Sequence, residues 1–298
     1  MSSTGWLWVA FTLIAAAAQT IRNAAQRELT ASLGTVGATH VRFLFGFPFA
    51  LLFLAGVCVT TNALPPWPAA VFWPWVIDGA AAQFAATVLM LAAMNDRSFV
   101  VTIAYIKTEP VQVALFGLVL LGDAVTWRMA LAILIATSGV MVMSFRGGVA
   151  RGGLKATLLG LGAGALFGLS AIGYRGAILS LGLADFVMAA TFTLTVGLAL
   201  QSVILSIWLG WRDPAVLLAI GRAWRPSLFA GFMGALASQF WYLAFALATA
   251  ASVRTLALVE VLFAQAISRY AFKQPTSPRE VTGIVLIVIG VALLMWAQ

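Results

Sequence analysis

The sequence predicts an all-α integral membrane protein with ten transmembrane helices, arranged as two inverted five-helix repeats. Three observations carry that expectation. Of 298 residues, 62% are hydrophobic and 9% charged, against about 45–50% and about 25% in a soluble globular chain. The 17 Lys and Arg and 9 Asp and Glu are too few to make a polar skin, so lipid must solvate most of the surface. Apolar segments of bilayer length recur along the whole chain, and the two halves match each other at a constant offset.

The spans are read at about 5–21, 37–58, 71–93, 99–121, 126–144, 155–179, 186–209, 226–248, 252–271 and 279–297. Each is close to the roughly 20 residues that a helix needs to cross the hydrocarbon. None shows the alternating pattern of barrel strands, which cross in about 10 residues, so helices are the spanning element. The first segment, MSSTGWLWVAFTLIAAAAQT, lacks the basic start of a secretory signal and reads as a span. Gln19 and Asn23 form a polar stripe at i and i+4 on it. GLGAGALFG in the sixth span, and Gly283 and Gly290 in the tenth, offer small residues for close helix approach. The longest break, GWRDPAVLLAIGRAWRP, holds an amphipathic stretch with Val216, Leu217 and Ile220 on one side, as expected of a short interfacial segment. Most tryptophans sit near span ends, where amphipathic rings favour the lipid–water boundary; Trp241 lies well inside its span.

Charge and cysteine usage exclude several classes. The net charge of +8 comes from basic residues spread thinly between apolar runs, so no nucleic-acid-binding patch is predicted. The single cysteine, Cys58, rules out an internal disulfide, and the single histidine, His40, cannot by itself hold a metal. No metal or cofactor is expected, and no phosphate-cradling loop for ATP hydrolysis is present. Basic residues concentrate in the breaks after odd-numbered spans: Arg22 and Arg27, Arg97, Arg146 with Arg151 and Lys155, Arg212 with Arg222 and Arg225, and Arg269 with Lys273. The other breaks hold little beyond Arg128, Arg175 and Arg254. By the positive-inside rule the odd breaks are cytoplasmic and both termini lie outside.

The repeat sets the architecture. An offset of 151 residues lays YIKTEPVQV on LALVEVLFA, matching Glu109 with Glu260, Arg128 with Arg279, Ile133 with Ile284, Gly139 with Gly290 and Val140 with Val291. An offset of 148 matches Ser32-Leu33-Gly34 with Ser180-Leu181-Gly182 and Arg27 with Arg175. The halves are therefore read as residues 1–147 and 148–298. Five spans per half is an odd number, so the copies cross the membrane in opposite senses. Such inverted repeats are a recurrent transporter plan, with the binding site near the midplane.

Ionisable and polar residues within spans are the candidate site. Glu109 sits near mid-span before Pro110, which is expected to kink the helix and free the carbonyl of Ile106. Glu109 can serve substrate ammonium binding or proton exchange, or be a structural acid; Glu260 is its counterpart. Lys107, two residues from Glu109, would lie about 200° away on a helix and is expected to meet another helix or a substrate carboxylate rather than Glu109. His40, with Arg42 in THVRF, faces a cavity or anchors at a surface or loop. Gln83, close to Asp78 in VIDGAAAQF, adds polarity to the third span. Gln239, Trp241 and Tyr242 in SQFWY, with Tyr105 and Tyr174, supply aromatic walls or packed interior groups.

On these residues the chain resembles the drug/metabolite transporter superfamily, in its EamA-type branch. The likeness spans essentially the whole chain and is carried by TEPVQVALFGLVLLGD before the Gly139 span and VEVLFAQAISRYAFKQ before the Gly290 span. Val261 stands where the first half has its proline. Within the branch the chain looks closest to YddG-type exporters. The resemblance implies a monomeric inner-membrane secondary transporter that exports small metabolites, foremost aromatic or other neutral amino acids. Alternating access around a central cavity would be facilitated or proton-coupled. A multidrug or organic-cation proton antiporter is the alternative. An integral-membrane enzyme is more distant, because no clustered His and Asp set exists to carry acyl or glycosyl transfer. Short loops leave little surface for a receptor or scaffold.

Overall fold

Helices begin and end where local chemistry dictates. The computed structural model describes residues 3–65, 67–95, 105–144, 154–270 and 277–297, and its regular structure is entirely helical. The α-helices are α1 (Leu7–Leu44), α2 (Gly46–Thr61), α3 (Phe72–Asn95), α4 (Glu109–Phe116), α5 (Trp127–Ser144), α6 (Leu154–Ser180), α7 (Phe186–Arg212), α8 (Pro214–Arg222), α9 (Trp224–Leu247), α10 (Ala250–Leu256), α11 (Glu260–Tyr270) and α12 (Pro278–Trp296). Asp185 caps α7 by accepting from the backbone N–H groups of Val187 and Met188. Thr249 caps α10 through Ser252 N–H. Ser277 and Glu280 form a reciprocal capping box on α12. Among the described residues, five helical stretches are long and apolar enough to cross a membrane, as befits a multi-pass membrane protein.

The first span is longer than the sequence reading placed it. α1 runs for 38 residues, roughly 57 Å at 1.5 Å per residue, about twice the hydrocarbon thickness. It is broken once, at Gly34, whose φ of 67° and ψ of 173° are not helical and belong to a backbone region that favours glycine. Arg22 and Arg27, expected in a loop after residue 21, therefore lie inside a helix; Arg175 lies within α6 and Arg254 within α10. The loop-charge bias is thus overcounted at these four positions. Arg97, Arg146, Arg151, Lys273 and the beginning of the fourth span fall outside the described residues.

The chain packs as two compact units, Met1–Ala80 with Gly173–Leu247, and Ala81–Ile172 with Ala248–Gln298. Each draws on both sequence halves. In the first unit α1 packs on α9, and α2 on α7. Gly231 meets Phe45, Gly173 meets Gly79, and Gly176 lies against the Trp75 ring. The predicted interfacial stretch is α8, whose Ile220 is buried with Leu29, Leu33, Ala38 and Val41.

In the second unit α5 packs on α12, and α4 on α10. The α5–α12 crossing is antiparallel. Arg128 at the start of α5 lies 4.8 Å from the Trp296 ring centroid at the end of α12. Further along, the space a Cβ on Gly290 would fill is held by Ala136, and that of Gly139 by Gly283 and Ile287. A Cβ on Gly139 would stand 2.7 Å from the Gly283 carbonyl oxygen and 2.9 Å from Ile287 N. Backbone lines that space, so the two helices must separate to admit any side chain. Gly139→Val should cost about 1–3 kcal/mol by overpacking, read as a lowered midpoint of thermal unfolding in detergent. An unchanged midpoint would contradict this crossing.

Candidate functional site

Two helices of the second unit begin with a glutamate. Residues 105 and 106 are helical, 107 and 108 form a turn, and α4 starts at Glu109. In the other half, α10 ends at Leu256, a tight helical turn covers Ala257–Val259, and α11 starts at Glu260. A carboxylate suits the first turn of α4, where a helix start carries the positive end of the dipole; at α11 the Glu260 N–H is already bonded to the Ala257 and Leu258 carbonyls.

This corrects the reading of Pro110. It does not kink a continuous helix but occupies the first turn of α4. There its missing N–H costs nothing and its fixed φ suits the helix start. The turn is closed by Thr108, whose N–H donates to the Tyr105 carbonyl at 3.1 Å and whose hydroxyl donates to the same oxygen at 2.6 Å. The Ile106 carbonyl points at Gly164 of α6, where a Cβ would come within 3.1 Å of it. Gln112 fastens the same contact by donating to the Leu161 carbonyl at 3.4 Å.

The acids pair crosswise. Lys107 Nζ contacts Glu260 Oε1, and Arg254 Nε lies 3.0 Å from Glu109 Oε1. Lys107 thus has the partner that sequence spacing did not supply. The helical-wheel premise fails, because Lys107 stands in the turn before α4. Arg254, counted from sequence as a loop charge, is the fourth member of the cluster. Its sole signal was position, six residues before Glu260 in an apolar run. Two cations and two anions sum to zero. They are mostly but not wholly enclosed, with side chains 25% and 15% exposed for Lys107 and Glu260, and 18% and 14% for Arg254 and Glu109.

The remaining candidates take other places. Tyr105 and Gln83 are half-buried in the second unit. Tyr174, Gln239, Trp241 and Tyr242 are buried in the first unit. Gln239 donates to Thr191 Oγ1 at 2.7 Å, and Trp241 Nε1 donates to Gln19 Oε1 at 3.1 Å. The Tyr174 and Tyr242 rings lie 4.8 Å apart, in space left by Gly79 and Gly197. Trp241 therefore takes the packed of its two expected placements. His40 is not at a surface: it is fully buried, with Nε2 3.0 Å from Ser206 Oγ. Arg175 donates to the Phe245 carbonyl, and Arg22 to Asn23 Oδ1 at 2.7 Å. A groove of about 170 Å³ beside α4 is lined by Val111, Leu115, Leu118, Ile133 and other apolar side chains, which offers a polar solute nothing. Among the described residues no group of His, Cys, Asp and Glu could hold a metal.

No family model matches the sequence, and no curated protein does. A protein solved by crystallography is similar in fold, with a TM-score of 0.74 at 16% identity over 99% of this chain and 97% of that one. At that identity the likeness carries the fold alone.

The crosswise pairing makes a stability prediction. Glu109→Gln takes from Arg254 the carboxylate that lies 3.0 Å away and should destabilise the fold, whereas replacing a whole buried pair by apolar or neutral groups is often neutral. In detergent, Glu109→Gln should lower the unfolding midpoint, and Glu109→Gln with Arg254→Met should recover most of the loss. A single variant as stable as wild type would break the assigned pairing.

Proposed function

We propose that this chain is a secondary transporter of the inner membrane. It exports small metabolites, foremost aromatic or other neutral amino acids, by alternating access. The observation that carries the reading is the neutral four-charge cluster at two helix breaks within spanning segments. Intramembrane charge is expensive and serves transport pathways by default, and broken helices with polar groups at their ends are how carriers build midplane sites.

The inverted duplication proposed for residues 1–147 and 148–298 is supported by reciprocal contacts. At the offset of 151, Gly139 corresponds to Gly290 and Ala136 to Ile287. Gly139 meets Ile287, and Gly290 meets Ala136. A contact repeated with its partners exchanged is the mark of a two-fold relation, and equivalent helices that run antiparallel fit copies of opposite sense. The packing of α1 on α9 is likewise echoed by α3 against α6. On this reading the ten spans are α1 to Gly34, α1 and α2 beyond it, α3, the α4 span, α5, α6, α7, α9, α10 with α11, and α12. The remaining Lys and Arg of the sequence support both termini outside by the positive-inside rule. A monomer suffices for such a site.

Facilitated transport fits the cluster better than proton exchange. Protonating either glutamate would weaken its attraction to the cation beside it, Arg254 or Lys107, a cost that a free carboxylate would not carry. The organic-cation proton antiporter needs such a carboxylate and is disfavoured on the same ground. In proteoliposomes loaded in turn with aromatic amino acids, aliphatic amino acids and organic cations, counterflow should occur with amino acids. Its initial rate should not change when a pH gradient is imposed. Absence of amino-acid exchange would reject the substrate class, and a gradient-driven rate would reject the facilitator.

A further inference from the structure

The break between α7 and α9 carries the same dipeptide at both ends. Trp211-Arg212 closes α7 and Trp224-Arg225 opens α9, each followed within two residues by a proline. Between them lies α8. Its Ile220 is buried with Leu29, Leu33, Ala38 and Val41 of α1, and Val216 Cγ1 lies 2.8 Å from where a Cβ on Gly37 would stand. With that side fastened, the opposite side of α8 is turned outward. Leu218 and Arg222, four residues apart and so on one face, are exposed, as are Trp211, Arg212, Trp224 and Arg225. Among the described residues none of these three arginines pairs with a carboxylate; Arg225 lies 5.4 Å from the centroid of the Trp224 ring. From this patch we infer a binding site for anionic phospholipid head groups, formed by Arg212, Arg222 and Arg225 at the membrane boundary.

Position, surface chemistry and charge together choose the occupant. α7 and α9 are each long and apolar enough to cross a membrane, so the end of one, the start of the other and α8 between them lie where hydrocarbon gives way to water. Trp211 is 86% exposed, Leu218 66% and Trp224 50%. Water would solvate these apolar groups poorly. At the boundary the indole rings are at home, and the guanidinium next to each reaches on into the head groups. A guanidinium is a planar fork whose N–H groups match the oxygens of a phosphate. Charge then decides among lipids. Three arginines against one exposed aspartate, Asp213, leave a net charge of +2 on the patch. A zwitterionic head group brings its own cation and gains little there, whereas an anionic one is attracted by the whole patch. On the orientation read from the basic residues α8 lies on the cytoplasmic side, where anionic lipid draws in bases close to the membrane. The site is independent of what the chain carries.

The test titrates the full chain, held in a neutral detergent, with dioleoylphosphatidylglycerol or dioleoylphosphatidylcholine and reads the midpoint of thermal unfolding. Phosphatidylglycerol should raise the midpoint, because a ligand of the folded form stabilises it. Phosphatidylcholine should raise it far less, and inorganic phosphate should not substitute for the lipid. In the variant Arg212→Gln with Arg222→Gln and Arg225→Gln, the phosphatidylglycerol concentration that gives half the rise should increase about tenfold or more. Arg222→Gln alone, at the outward face of α8, should increase it roughly fivefold, the share of one base near an anionic surface. Arg128→Gln removes an exposed base of the second unit and should respond as wild type does. Equal responses to the two lipids would overturn the inference, as would a rise reproduced by inorganic phosphate. So would a wild-type response in the triple variant or in Arg222→Gln, or a loss in Arg128→Gln as large as that of the triple variant.

Discussion

A carboxylate within a bilayer must find a cation, and in the second unit that requirement fixes which segments come together. Glu109 and Glu260 each begin a helix, and each is matched by a base from the other half of the sequence, Arg254 and Lys107. The four charges attract across the two segments, so 105–116 and 250–270 are positioned jointly. The glycine contacts of this unit serve the same end. Gly164 lets α6 approach the Ile106 carbonyl just before the turn that carries Lys107. Gly139, Gly283 and Gly290 bring α5 and α12 together at backbone distance.

The first unit solves a related problem with neutral groups. Polar side chains bond pairwise there, Gln239 with Thr191, Trp241 with Gln19 and His40 with Ser206, while Gln239 Oε1 and His40 Nδ1 are buried without a hydrogen bond. Buried arginines bond to oxygens of their own helices' neighbourhood, as Arg22 does with Asn23 and Arg175 with the Phe245 carbonyl. Small residues again make the room, here around Tyr174, where Gly79 and Gly197 leave space for the ring.

Much of this was legible in the sequence, and the misses have physical causes. The all-helical membrane fold followed from composition and span length, and the amphipathic pattern around Ile220 correctly marked α8. The first span boundary failed where charge was taken as a sign of loop: Arg22 and Arg27 lie within α1, and Arg175 and Arg254, counted as break charges, also lie within helices. Periodicity cannot see a partner far away in the chain. The same blindness hid the match of Lys107 with Glu260 and left His40 assigned toward a surface. That both acids open a helix in the same unit accords with the match of Glu109 to Glu260, which was visible because an acid in an apolar run is rare enough to align.

The proline was the misleading signal, and its absence from the second half explains what the break is for. Val261 follows Glu260 where Pro110 follows Glu109, yet both chains interrupt their helix just before the acid. In the first half a hydrogen-bonded turn closed by Thr108 does this, with proline opening the new helix. In the second, a tight turn over Ala257–Val259 does it without proline. Two different local devices reach one outcome, so the outcome rather than the device is what the two glutamate positions share. A glutamate at a helix start has its backbone charge favourably placed and its side chain free to point away from the helix that follows. Placed mid-helix, the same acid would gain nothing from the dipole, and its lateral position would be tied to the neighbouring turns. The interruption is therefore what allows each acid to meet a base from the other half. Proline is dispensable to it, and the asymmetry between the copies falls on the bases instead, one on a turn and one within a helix.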